Sequence, residues 1–202
     1  MKALLLIDIQ NDFIPGGALA VPEGDQIIPI ANKLQEKFDL VVATQDWHPS
    51  NHKSFASQHP GHVTFDVVDL NGLEQVLWPD HCVQATGGAD FSPELEVQKI
   101  EAIFRKGTNP AIDSYSGFYD NGHLKATGLA DYLRGKQVTE LYLAGLAGDY
   151  CVYFSAKDAI SEGFKTYLVE DATLPINHEQ FAAAKEDIRN RGGNIVKSTA
   201  IF

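Results

Sequence analysis

A thiol acts as a nucleophile when a base can take its proton and a nearby cation or helix start favours its thiolate. The 202-residue sequence holds a candidate for each part. Cys151 follows the turn Gly145-Leu-Ala-Gly-Asp-Tyr150, where a helix is expected to begin, and unpaired N–H groups at such a start stabilise negative charge. Asp8 sits in the apolar run Leu4-Leu-Leu-Ile-Asp8, where a carboxylate is costly to desolvate unless a cation or donors compensate. Lys106, two residues past Ile103-Phe104, supplies that cation. Brought together, Lys106 would hold a thiolate while Asp8 accepts and returns its proton. Taken singly, Cys151 reads equally well as a small buried hydrophobe, and Asp8 with Lys106 as a structural ion pair.

A second constellation is Asp46-Trp-His48-Pro with Trp78-Pro-Asp-His81-Cys82. One carboxylate and two imidazoles make a metal site that keeps positions open for water or substrate. Spacing leaves His52 open as a further ligand, a neighbour of the ligands or a solvated side chain. The other histidines of Ser50-Asn-His-Lys-Ser-Phe-Ala-Ser-Gln-His-Pro-Gly-His-Val63 read as exposed loop residues. Cys82 is expected to pack, since a thiolate ligand beside His81 would turn the site toward a closed structural zinc. Phe13, Trp78 and Tyr115 lie within or beside the segments that carry this chemistry, so a flat aromatic ligand could stack among them. Trp47 and Phe118 are expected in the core.

These residues need elements to position them. Short apolar runs predict strands at Ala3–Ile9, Leu40–Thr44, Ile100–Phe104, Val138–Ala144, Lys165–Val169 and Asn194–Lys197. Helical spacing falls between them at Gly24–Phe38, His123–Arg134, Cys151–Glu162 and His178–Arg191, with Gly135 and Gly163 as C-cap signals for the second and third. Continuous apolar strands joined by helices predict an α/β three-layer sandwich around a six-stranded, mostly parallel sheet. Ligands of such sheets bind beyond the carboxyl ends of the strands. Asp8, Asp46, His48, Lys106 and Cys151 all fall at or just after such ends. One domain spans residues 1–202, and the segment 45–99, rich in His, Pro, Gly and Asp, reads as an insertion that carries function.

With 16 Lys+Arg against 27 Asp+Glu the formal net charge is -11, and no basic cluster interrupts it, which argues against nucleic acid and anionic membranes as partners. Asp8 breaks the amino-terminal apolar run far short of a signal core or membrane span. Two cysteines without an export signal point to a reducing, cytoplasmic setting.

The stretches Asp8-Ile-Gln-Asn-Asp-Phe13, Gln45-Asp-Trp-His-Pro49, Trp78-Pro-Asp-His-Cys-Val83, Arg105-Lys-Gly107, Asp113-Ser-Tyr-Ser116 and Gly145-Leu-Ala-Gly-Asp-Tyr-Cys-Val152 resemble, in order and from end to end, those of bacterial nicotinamidases within the isochorismatase-like cysteine hydrolases. The resemblance implies a Cys151, Asp8, Lys106 triad and one divalent metal on Asp46, His48 and His81, with zinc first and iron or manganese as alternatives. It implies a substrate ring near Phe13, Trp78 and Tyr115, and a cis peptide between Leu146 and Ala147 that turns the N–H groups of Ala147 and Cys151 toward an oxyanion. The expected activity is hydrolysis of nicotinamide to nicotinate and ammonia through a thioester in NAD salvage, with pyrazinamide as a second substrate, by a monomer or homodimer. Cys151 sets the chain apart from isochorismatases without the catalytic cysteine. Its Asp/His/His set separates it from relatives that cleave carbamoyl or ureido groups. Gly148 stands where the family usually has Thr or Ser, which predicts a looser oxyanion turn. Different classes fit the same residues: a metal-binding, redox-responsive thiol protein, a cysteine amidohydrolase for another small carboxamide, or a hydrolase whose metal activates the water.

Overall fold

In the computed structural model, which describes residues 1–202, the apolar run after Lys2 becomes the central strand of the fold. The strands are β1 (Lys2–Ile7), β2 (Leu40–Asp46), β3 (Val67–Leu70), β4 (Leu73–Val76), β5 (Ile100–Lys106), β6 (Glu140–Gly145), β7 (Lys165–Thr173) and β8 (Asn194–Val196). The helices are α1 (Ile28–Gln35), α2 (Leu129–Gly135), α3 (Tyr153–Ser161) and α4 (His178–Asn190). Six strands form one sheet in the order β5-β2-β1-β6-β7-β8, every neighbouring pair parallel. Alternate side chains of β1 feed opposite faces. Leu4 and Leu6 join the core under α1, whereas Ala3, Leu5 and Ile7 join the core under α2, α3 and α4. Each such leucine contributes about 1.5–3 kcal/mol by burial, so the sheet is anchored from both sides.

The chain leaves β1 in one direction to β2 and β5, then returns to lay β6, β7 and β8 on the other flank. The crevice where this reversal occurs, beyond the carboxyl ends of β1 and β6, is where a doubly wound sheet binds ligands.

Several boundaries differ from the sequence reading. β1 stops at Ile7, because Asp8 takes a left-handed backbone (φ 49°). β2 and β5 run two residues longer, to Asp46 and Lys106, and β7 extends to Thr173. The α-helix over 28–35 is preceded by a 3-10 turn at Gly24–Ile27, since Pro29 has no N–H and fits only a first helical turn. The second helix begins at Leu129, not His123, because Gly128 is left-handed (φ 92°) and Asp120 folds the preceding segment by accepting the N–H groups of Gly122 and Leu124. It ends at Gly135 itself, and Gln137 takes the left-handed position instead. The third begins at Tyr153, after a single π-helical turn over Gly148–Val152 that contains Cys151.

The segment 45–99 contains an antiparallel hairpin of β3 and β4 turning through Asn71-Gly72, both with positive φ. That dipeptide is the strongest short-range hairpin signal a sequence offers. Phe118 is in the core as expected, but Trp47 is only partly buried and carries the Arg105 guanidinium 3.9 Å above its ring.

Candidate active site

The register of the sheet sets the site. Asp46 and Lys106 are directly paired as the last residues of β2 and β5, and Thr44 pairs with Ile7, just before Asp8. Four adjacent strand ends therefore deliver Lys106, Asp46, Asp8 and, beyond β6, Cys151 to one spot.

Lys106 is 2% exposed. Its Nζ lies 2.9 Å from Asp8 Oδ2 and 2.9 Å from Asp46 Oδ1. It also donates to Ser114 O at 3.0 Å and reaches Cys151 Sγ at 3.5 Å. Burial works against this ammonium, but Asp46 and Asp8 outweigh it and raise its pKa well above the ordinary value. Asp8 Oδ1 accepts Thr44 Oγ1 at 2.7 Å. Its Oδ2 has charge contact with Lys106 but no aligned donor, which leaves a lone pair for the thiol proton. Burial raises the Asp8 pKa against the opposing pull of Lys106.

Burial likewise pushes the Cys151 thiol well above its usual range, with Lys106 pulling down and Asp8 pushing up. The resting state is thus a thiol beside a base. The helix-start argument for a standing thiolate does not hold, because Cys151 lies inside the π-helical turn and burial dominates.

The second constellation also converges. His48 Nε2 and His81 Nε2 lie 3.3 and 3.6 Å from Asp46 Oδ2. His48 Nδ1 is 3.0 Å from Gly107 O and His81 Nδ1 is 2.7 Å from Pro79 O. Carbonyl oxygens only accept, so each Nδ1 donates its proton there, which leaves Nε2 as the atom each ring turns toward the Asp46 carboxylate. Three buried atoms that can each offer a lone pair thus face one another, and the donor set of Asp46, His48 and His81 suits a divalent cation. Burial opposes a charged Asp46, yet His48 and Lys106 outweigh it and hold its pKa well below the carboxylate range. Cys82 is buried with its pKa pushed up by burial, and Asp12 Oδ2 holds its backbone N–H at 2.7 Å.

Of the alternatives left open for His52, the solvated side chain is excluded. His52 is fully buried, 4.3 Å ring to ring from His48, with Nδ1 engaged by Ser54 Oγ at 2.7 Å and Nε2 unpartnered. Burial, with His48 beside it, pushes its pKa down to about 4, so the ring is neutral. Of the neighbouring histidines, only His62 is exposed, while His59 is partly buried and donates its Nε2–H to Lys53 O at 2.7 Å.

Phe13, Trp78 and Tyr115 line a narrow cleft together with Asp46, His81, Ala147 and Cys151. Phe13 meets the His81 ring edge-on at 5.5 Å, and Trp78 stands perpendicular to Tyr115. Leu19, Asp113, Tyr150 and Ile176 complete the wall and were not singled out from the sequence as contacts. Asp113 and Tyr150 lie inside recognisable motifs, but Leu19 and Ile176 carry no signal beyond being apolar.

The Leu146-Ala147 peptide is cis, and the Ala147 N–H donates to no group of the protein. Gly148 sits against neighbouring side chains. A Cβ there would lie 3.0 Å from Phe181 Cε2 and 3.0 Å from Thr173 Cγ2, so neighbouring side chains fill the space a larger residue would need.

A thiol, an adjacent carboxylate base, a buried ammonium, a free backbone donor and a metal donor set on a parallel α/β sheet define a cysteine hydrolase. The chain belongs to the isochorismatase domain family, whose model matches residues 2–200. The nicotinamidase of Escherichia coli K12 is 50% identical over 180 residues, covering 87% of this chain and 84% of its own length. A nicotinamidase/pyrazinamidase structure from Acinetobacter baumannii superposes with a TM-score of 0.97 at 43% identity, covering 100% of this chain and 98% of that one. A pyrazinamidase structure from Pyrococcus horikoshii in complex with zinc gives a TM-score of 0.81 at 42% identity, covering 97% and 98%.

Proposed function

We propose that this chain is an amidohydrolase that converts nicotinamide to nicotinate and ammonia, and that it also deamidates pyrazinamide. The observation that carries the reading is the contact of one buried ammonium, Lys106 Nζ, with Asp8, Asp46 and Cys151 at once. It joins nucleophile, acid–base group and metal donor set at the floor of an aromatic cleft.

Asp8 Oδ2 takes the Cys151 proton as Sγ attacks the carboxamide carbon. The developing oxyanion accepts the N–H groups of Ala147 and Cys151, each worth about 3–4 kcal/mol of barrier in sites of this kind. Asp8 returns its proton to the departing amine, which leaves as ammonia. A water, deprotonated by Asp8, then attacks the thioester, and nicotinate leaves as the Cys151 thiol is restored. Lys106 stays charged throughout and keeps the thiolate and Asp8 in register. Phe13, Trp78 and Tyr115 orient the ring. Asp46, His48 and His81 would hold one divalent ion, zinc by the precedent of the archaeal relative, which when bound offers a Lewis-acid position for the pyridine nitrogen and so fixes the carboxamide over Cys151.

Ammonia release from nicotinamide by the purified protein tests the reading. Wild type should turn over and Cys151→Ala should not, with fold and metal content kept. More than a hundredth of wild-type activity in that variant would sink the cysteine mechanism.

A further inference from the structure

Asp149 is a buried acid for which the mechanism has no use. Its Oδ1 accepts the Ile176 N–H at 2.9 Å and its Oδ2 the Asn177 N–H at 2.8 Å. The preceding Gly148 N–H donates to Leu174 O at 2.8 Å. Two consecutive residues of the π-helical turn are therefore tied to the chain that leaves β7. That chain is itself pinned, because Asn177 Oδ1 caps α4 by accepting the N–H groups of Glu179 and Gln180. Phe181 of the same helix packs close against Gly148, its ring 3.0 Å from where a Cβ would stand. Ala147, with its uncommitted N–H, is two residues before Asp149, and Cys151 is two residues after. Ile176 lines the cleft.

We propose that Asp149 is a positioning residue that clamps the oxyanion turn onto the β7–α4 connection, so that the tetrahedral intermediate depends on it more than substrate binding does. The clamp replaces, from outside the turn, the restraint that a side chain on residue 148 would give from within. Both carboxylate oxygens are engaged. Asparagine, isosteric but with one acceptor, keeps only half of the clamp and turns an NH2 group against an N–H. This inference rests on the amidohydrolase reading above, and the test separates the two.

Zinc-loaded wild type, Asp149→Asn and Asp149→Ala are compared for kcat and KM on nicotinamide and for inhibition by nicotinaldehyde. The aldehyde carbon bonds to Cys151 Sγ while the thiol proton passes to the carbonyl oxygen, giving a hemithioacetal whose oxygen lies where the oxyanion would. A displacement on the order of 1 Å costs about a hundredfold. Asp149→Asn should lose about tenfold or more in kcat with KM held within about threefold, and the nicotinaldehyde inhibition constant should rise by the same factor as kcat/KM falls. A loss of thermal stability with kcat unchanged, or a rise in KM alone, would overturn the clamp. Should Asp149→Ala fail to fold, Asp149→Asn carries the comparison. Should wild type release no ammonia, the function reading fails, and the clamp is read from the rate of Cys151 alkylation by iodoacetamide at fixed pH in a Cys82→Ala background. A slowing of about threefold or more in Asp149→Asn then supports it, and an unchanged rate overturns it.

Discussion

The ammonium of Lys106 replaces the water that burial takes from two carboxylates and a thiol. Removing one partner of such a cluster costs about 3–5 kcal/mol, because the remaining charges stay buried and unpaired. Lys106→Met should therefore lower the melting temperature and also move the chemistry of Cys151. Burial holds the thiol pKa high, and Lys106 is the chief group pulling it down. Without the ammonium the pKa rises further, and each unit leaves about tenfold less thiolate at any pH below it. Iodoacetamide alkylation of Cys151 against pH, in a Cys82→Ala background and well below the melting temperature, should shift to higher pH. An unchanged profile would make Lys106 structural. Cys82→Ala itself should keep most activity and metal, since its sulfur is packed rather than aimed at the donor set. The convergence of Asp8, Lys106 and Cys151 was legible because each interrupts or follows an apolar run, where an ionisable group needs a reason. His52, Ile176 and Asp149 were not. Whether a loop histidine is buried, or an acid's oxygens meet particular backbone N–H groups, depends on tertiary contacts that no local pattern encodes.

At the scale of elements, the strand ends explain the site better than the helices do. Running two residues further than expected, β2 and β5 turn Asp46 and Lys106 into a cross-strand pair. The sequence hides this because charged residues at the end of an apolar run look like the loop. α2 starts at Leu129, six residues later than its helical spacing predicts, for the reverse reason. Helical spacing continues through 123–128, and only the left-handed Gly128 and the Asp120 turn stop it. Immediately after β5, Gly107 has φ 64°, and a Cβ there would stand 2.3 Å from His48 Cε1 and 2.5 Å from His48 Nδ1. Gly107 O is also the acceptor that fixes the His48 tautomer. Gly107→Ala should thus displace the His48 ring before it disturbs the sheet. Loss of such an outer partner typically costs about 10–100-fold in metal affinity. Zinc affinity measured by competition with a chromogenic chelator should fall in that range while circular dichroism stays close to wild type, and an unchanged affinity would show that His48 is not a ligand.

For the molecule as a whole, the divalent ion would bind at a junction. Asp46 ends β2 in the sheet, whereas His81 lies in the connection between β4 and β5, so one ion would link the scaffold to the wall of the cleft. No helix is long and apolar enough to cross a membrane, and with a net charge of -11 the surface offers no general attraction for anionic macromolecules. Selectivity among small carboxamides is a matter for the cleft, and benzamide probes it. It keeps the scissile carboxamide but has no ring nitrogen to coordinate. If the ion mainly positions the ring, holo-enzyme should prefer nicotinamide by about a hundredfold, the typical cost of misplacing a reacting carbon by about 1 Å. Chelation should then collapse nicotinamide turnover, change the slow benzamide rate far less, and bring the two rates together. It should also lower the melting temperature, because a ligand bound only by the native state stabilises that state, so the comparison belongs at a temperature where circular dichroism shows the apo-protein folded. If chelation depressed both substrates by the same factor, the ion would be acting on a step they share, most simply the attacking water, and the positioning role would fall.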